Sequence, residues 1–254
     1  MIKPVFNKRP FPSFESSWLR VGLLFFLLLT FLPAGPLFAR VKIVLDAGHG
    51  GSDTGVKSGS EVEKDWNLKF SQALEKAFAA AGYDVLSIRT KDESIPAAKR
   101  ADMINASGAA AVIVIHADRD WTGSQKGPFL VVEPPTKPEA GDSAEIQRWG
   151  SVSLGEYRSS LKLARAIAQG LGVNGGFSLL SDSRGTMGEI PSADGKVFCL
   201  PHQNLRYLTR PAVVLTPLFL TSGIDIKKFS KSDALAEFAS QVVEGTTAYL
   251  QGTP

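Results

Sequence analysis

The run "AAAVIVIH", from Ala109 to His116, constrains the fold of this chain more than any other stretch. It is apolar without alternation up to its last residue, so it cannot be a strand with one face in water. Such a strand has to be covered on both faces. That points to the interior of a mostly parallel sheet with helices packed on either side. The rest of the chain repeats the theme. Lys42–Leu45 is rich in branched residues and reads as a strand, and a glycine-rich loop follows from Ala47 to Ser60. Trp66, Phe70, Ala73, Leu74, Ala77, Phe78 and Ala81 then recur at helical spacing, and Gly82 stops the helix. Tyr83–Ser87 is the next predicted strand, and Pro96 opens a second helix ending near Gly108. Phe129–Val132 reads as a strand, and Tyr157, Leu161, Ala164, Ala168 and Leu171 mark a third long helix. Residues 172–209 are glycine-rich and irregular, and Ala212–Leu220 is a late apolar strand. Leu235, Phe238, Ala239, Val242, Thr246 and Tyr249 form the apolar face of a C-terminal helix. Strands alternating with helices predict an α/β fold, a single-domain sandwich with a mostly parallel central sheet flanked by helices.

The chain's start limits that domain. Lys3, Lys8, Arg9 and Arg20 make a basic region ahead of an apolar stretch, Val21–Leu32, that is too short for a comfortable membrane span. "PLFA" then ends at Ala39, a small residue suited to cleavage. Residues 1–39 therefore read as a signal peptide and 40–254 as the folded domain. Uncleaved, the leader would be a membrane anchor. It carries four of the 28 basic residues and one of the 25 acidic ones, so the remainder is formally neutral. A neutral domain implies no nucleic-acid partner. Cys199 is the single cysteine, so no intrachain disulfide can form, and it reads as a buried small apolar residue. An exported chain without bridges suits a bacterial periplasm or cell surface. Residues 134–150, "PPTKPEAGDSAEIQRWG", carry three prolines and little to bury. They are expected to form a mobile insertion near the site.

Open α/β sheets place their sites at the carboxyl ends of strands. His49 follows the first strand, His116 ends the apolar run, and Glu63 opens the first long helix. Singly, each has an ordinary explanation: a glycine turn, a strand end, a carboxylate at a helix dipole. Together they supply two imidazoles and one carboxylate, the donor set of an open catalytic zinc site. Rival motifs fit poorly. Gly50 and Gly55 have phosphate-loop spacing, but Val56 stands where that loop needs lysine. "DTG" at Asp53–Gly55 occurs once, in an α/β pattern, whereas aspartic proteases need two such aspartates. No H-E-x-x-H is present.

The blocks "IVLDAGHGG", "VEKDWNL" and "AVIVIHAD" resemble the zinc-dependent N-acetylmuramoyl-L-alanine amidases of bacterial cell walls. Those read D-P-G-H-G-G, then E-K, then S-I-H-A-N. The resemblance spans roughly residues 41–250. It implies that His49, Glu63 and His116 are zinc ligands. It also implies that the substrate is peptidoglycan, cut between the lactyl group of muramic acid and L-alanine of the stem peptide. A protein activator is compatible with it.

The last core strand departs from the family. The family reads P-A-V-L-V-E-V-G-F-L-S-N, where the glutamate serves as general base and acid. This chain reads "PAVVLTPLFLTS", Pro211 to Ser222, which places Thr216 at the glutamate position. Threonine does not titrate near neutral pH, and a lost acid–base group costs about 10²–10⁴-fold in rate. Two readings follow. Either the chain is an amidase with a substitute base, for which Glu189 is the first candidate and His202 the second, or it is a catalytically silent domain that binds zinc and peptidoglycan. His202 could also serve as a fourth ligand. Asp118, Asp120 and Glu133 are read first as solvated surface carboxylates.

Overall fold

A computed structural model describes residues 40–120, 127–133, 153–172, 197–199, 202 and 204–252. The signal-peptide reading of 1–39, the insertion 134–150 and Glu189 fall outside these residues, as does the side chain of Cys199. In chain order the elements are β1 (Lys42–Ala47), β2 (Lys57–Ser58), β3 (Glu61–Val62), α1 (Glu63–Ala80), β4 (Asp84–Ser87), α2 (Ala97–Ala106), β5 (Ala111–Ile115), β6 (Phe129–Val132), α3 (Leu154–Gly170), β7 (Val197–Cys199), β8 (Ala212–Thr216), α4 (Gly223–Phe229) and α5 (Ser232–Gln251). Among the described residues no helix is long and apolar enough to cross a membrane.

Six strands form one sheet in the order β4-β1-β5-β8-β6-β7. β4, β1, β5 and β8 run parallel, so their carboxyl ends share one edge. β6 runs antiparallel to β8, with Phe129 opposite Thr216, and β7 follows β6. The sheet is thus mixed but mostly parallel, as the apolar run of β5 requires. All five residues of β5 are buried.

Residue alternation sorts the core into two faces. Ile43, Leu45, Ile113, Ile115, Val213 and Leu215 pack under Phe70 and Leu74 of α1, Leu163 and Ile167 of α3, and Phe238 and Val242 of α5. Val44, Val112, Val114 and Val214 point the other way, beneath Ile104 of α2 and beneath Leu205 and Leu208. Helices α3 and α5 approach closely, because a Cβ at Gly245 would stand 2.3 Å from the Ala166 carbonyl oxygen. The capping box of Ser153 and Glu156 starts α3.

Four details differ from the sequence reading. The glycine-rich loop holds a small hairpin, β2–β3. A short strand, β7, sits inside the segment read as irregular. Helix α4 precedes α5, capped by Ser222, whose side chain accepts from Asp225 N–H. The late strand ends at Thr216 rather than Leu220. Pro217 cannot donate to the ladder, and pairing resumes only as an isolated bridge between Asp118 and Phe219.

A candidate metal centre at the sheet edge

Three loops leave the shared carboxyl edge and meet there. The turn after β1 carries His49 in the left-handed region, at φ 61. A non-glycine residue there is held by its surroundings. Arg100 of α2 supplies much of that restraint. Its Nη2 donates to the His49 carbonyl at 2.6 Å and its Nη1 to the Ala47 carbonyl at 2.8 Å, while it pairs with Asp46. Arg89, 1% exposed, donates from Nε to the Ala47 carbonyl at 2.8 Å and from Nη2 to the Gly48 carbonyl at 3.0 Å. Gly48 is required by close approach, since a Cβ there would stand 2.3 Å from the His116 ring.

Glu63 is the first residue of α1, and Asp65 shares its first turn, where carboxylates complement the helix dipole. Loop 53–56 caps this helix: Glu63 N–H donates to the Val56 carbonyl and Lys64 N–H to the Thr54 carbonyl. In return Glu63 Oε2 accepts from Val56 N–H at 2.8 Å. That leaves Oε1 facing both imidazoles, 3.2 Å from His49 Nε2 and 2.8 Å from His116 Nδ1. Ligand atoms of the three side chains all lie within 4.8 Å of one another. Tetrahedral bonds of about 2.1 Å put ligand atoms roughly 3.4 Å apart, so the cluster matches the spacing a zinc-sized ion needs.

The remaining ring nitrogens are engaged as well. Asp53 Oδ2 lies 2.8 Å from His49 Nδ1, a carboxylate–imidazole pair of the kind that orients metal ligands. The Asn204 amide lies 2.7 Å from His116 Nε2. Asn67 of α1, fully buried, donates to the Gly48 carbonyl at 3.1 Å and accepts from Ala117 N–H at 2.6 Å, so it clamps both histidine-bearing turns.

The field of the cluster follows from these contacts. Burial opposes ionisation of the Glu63 carboxyl, yet hydrogen bonds from His116 and His49 outweigh it and hold its pKa at about 2. Burial likewise opposes charging of His49, but Glu63 and Asp53 raise its pKa above the usual value. His202 goes the other way. Burial first, then the neighbouring His116, lower it to about 4.

The structure brings His49, Glu63 and His116 together. Strand alternation puts Thr216 on the face of His116, where Val114 and Val214 also point. Thr216 is 2% exposed. The β5–β8 ladder slips beside it. His116 N–H donates to the Leu215 carbonyl and Asp118 N–H to the Leu218 carbonyl, so β8 spends one residue more than β5. This is a bulge, and bulges re-aim side chains. His202 does not join the three-residue cluster. Its ring packs edge-on against His116 with centroids 5.6 Å apart. The expectation of solvated carboxylates is corrected at Asp120, 7% exposed, and Glu133, 3% exposed. Because β6 is antiparallel, Glu133 lies toward the far edge of the sheet and accepts a hydrogen bond from His202 N–H. Asp118 is partly buried, which raises its pKa, and it feels the charges of Glu63 and His116.

The cluster opens into a cavity of about 120 Å³ lined by His49, Gly50, Asp53, Ser94, His116 and Asn204 among others. A second cavity of about 360 Å³ adjoins it, sharing Ala97, Arg100 and Asn204 and extending along α2 to Tyr207.

Comparison with known proteins agrees with this architecture. The profile of the N-acetylmuramoyl-L-alanine amidase family matches residues 43–248. The amidase AmiC of Neisseria meningitidis serogroup B is 35% identical over 89 residues, which is 35% of this chain and 21% of AmiC. The amidase CwlM of Bacillus licheniformis is 36% identical over 78 residues, 30% of this chain and 31% of CwlM. The matched stretches thus span about a fifth and a third of those proteins. Among solved structures, the CwlD amidase of Clostridioides difficile, in complex with the GerS lipoprotein, superimposes with a TM-score of 0.62 at 20% identity. That superposition covers 84% of this chain and 99% of CwlD and shows a shared fold. The strand order, the histidine–glutamate–histidine edge and the profile match over most of the folded residues lead to one conclusion: this chain belongs to the N-acetylmuramoyl-L-alanine amidase family.

Proposed function

We propose that the chain is a zinc-dependent peptidoglycan amidase domain acting on the bond between N-acetylmuramic acid and L-alanine of the stem peptide. The observation that carries this is the convergence of His49 Nε2, Glu63 Oε1 and His116 Nδ1 at an open cavity. Zinc held there would polarise the scissile carbonyl and lower the pKa of a water toward 7. Asp53 orients the His49 imidazole from outside. Arg89, Arg100 and Asn67 hold the turns that carry the two imidazoles, so the donors are fixed before a ligand arrives. The adjoining cavity along α2 gives room for one arm of a branched substrate, with the scissile bond at the histidines.

Thr216 favours a second reading, a domain that binds zinc and peptidoglycan without turnover. Its hydroxyl can donate and accept hydrogen bonds but cannot take a proton at pH 7. Proton transfer in the first reading would need another group, and Glu189 is retained as a candidate. Residues 1–39 are proposed as an export signal, giving a periplasmic or cell-surface location. A protein activator is also proposed, by analogy with the lipoprotein-bound CwlD neighbour.

Dye release from labelled peptidoglycan, with and without a chelator, separates the readings. Chelator-sensitive release supports the amidase. Zinc-dependent binding to peptidoglycan without release supports the silent domain.

A further inference from the structure

Residues 204–208, with His202 just before them, lie on the α2 face of the sheet, pinned by buried Leu205 and Leu208. Glu133 ties their start, accepting from His202 N–H, with Arg206 Nε 3.7 Å from the other oxygen. Asn204 N–H donates to His202 Nδ1 at 3.3 Å. From this pinned strap the Asn204 amide reaches His116 Nε2 at 2.7 Å, beside the His202 ring that packs edge-on against the same imidazole.

Resting on the proposed metal site, we propose that Asn204 is a positioning residue that fixes the ring orientation of His116 so that Nδ1 is the metal-facing atom. Asn204 Nδ2 lies 2.7 Å from His116 Nε2, and Glu63 Oε1 lies 2.8 Å from His116 Nδ1. With a metal ion held at Nδ1, the neutral ring would carry its proton on Nε2. Nε2 now needs an acceptor. The amide supplies one by turning about 180°, since its oxygen and nitrogen are equivalent in shape. Asn204 therefore serves both states of His116. The two histidines are held from different sides and by different chemistry, His49 by the carboxylate of Asp53 through Nδ1 and His116 by an amide through Nε2. The amide arrives from a segment far along the chain.

The test is metal affinity of the full-length chain, read by chelator competition with Zn²⁺ and by the visible spectrum with Co²⁺. Asn204→Leu keeps the bulk and removes the polar contact. Zn²⁺ affinity is expected to fall about 10–100-fold, the usual effect of removing a group that orients a ligand, with an altered Co²⁺ spectrum. Asn204→Asp keeps an acceptor for Nε2–H and is expected to bind within a few-fold of wild type. Thermal midpoints of the metal-free proteins guard against a folding defect. The three should coincide, while the rise on adding Zn²⁺ should be smaller for Asn204→Leu alone. Unchanged Zn²⁺ affinity and Co²⁺ spectrum in Asn204→Leu would overturn the assignment, as would equal weakening in Asn204→Asp. Peptidoglycan hydrolysis is scored separately. Wild type that binds Zn²⁺ without hydrolysis, together with a weakened Asn204→Leu, supports Asn204 while removing turnover from the proposed function.

Discussion

The two sides of the sheet edge are built differently. On the side of β1, α1 and β5, each of the three donors is braced. Arg100 and Arg89 grip the His49 turn, Val56 N–H fixes one oxygen of Glu63, and Asn67 joins both histidine-bearing turns. On the side of β8 the ladder slips by a residue, Pro217 interrupts it, and Thr216 is the buried group at the strand end. The first side provides what a metal ion needs, rigid donors whose other atoms are satisfied. The second is where the family's proton-transferring glutamate would stand. On the proposed reading, ligation and acid–base chemistry would be carried by separate strands, and this chain would keep one arrangement while changing the other.

The sharpest way to break the comparison is to restore the changed side. Thr216→Glu combined with Pro217→Val should raise peptidoglycan hydrolysis by about 10²-fold, the low end of the acid–base range. Pro217 is included because it fixes φ and withholds an N–H, so it holds the bulge that sets the direction of residue 216. Thr216→Glu alone should gain less. No gain in the double variant, measured by dye release, would mean that the β8 side does not limit turnover.

A smaller effect probes the braced side. Gly48→Ala puts a methyl group into the His116 ring, so the ring or the turn must shift. A loss of about 1–3 kcal/mol in stability is expected from overpacking, together with weaker metal binding. Urea unfolding of the metal-free protein reads the first and chelator competition the second. A neutral result would show that the turn is looser than its contacts imply.

The smallest effect concerns His202. Its folded pKa of about 4 lies below the ordinary 6.5, chiefly through burial. As pH falls, the unfolded chain takes the proton first. The stability contributed by the buried neutral ring is thus complete above about pH 6.5 and is lost progressively toward pH 4. His49, raised above its usual value, acts in the opposite sense. Glu63, held near 2, loses its contribution only below about pH 4.5. The difference between wild type and His202→Gln isolates the first effect. Urea midpoints of the metal-free proteins should diverge between pH 7 and pH 4.5, with wild type losing more.

Much of this edge was legible in the sequence because each signal is local. An unbroken apolar run fixes β5 as an interior strand and delivers His116 to its end. Glycines mark the turn that holds His49, and helical periodicity places Glu63 at a helix start. Thr216 was visible as a departure in the last core strand, together with Pro217 and Leu218. What could not be read depends on distant partners. The direction of β6 follows from pairing with a strand more than eighty residues later. That pairing moved Glu133 away from the edge and buried it. Arg89 and Arg100 look like surface cations on helical or loop patterns until their carbonyl partners are known. Asn204 sits in a stretch with no periodicity, and only the packing of 204–208 on the sheet makes it a neighbour of His116. Asp53 drew notice as part of "DTG", but its contact with His49 depends on the left-handed turn between them.

The central claim is that the braced side forms a working metal site in this chain. The zinc content of the purified full-length protein, measured by elemental analysis against Glu63→Ala, tests it most directly. Wild type should carry close to one zinc per chain, and Glu63→Ala, folded by circular dichroism, should lose most of it. A folded wild type that carries no zinc and takes up none on addition would contradict the account.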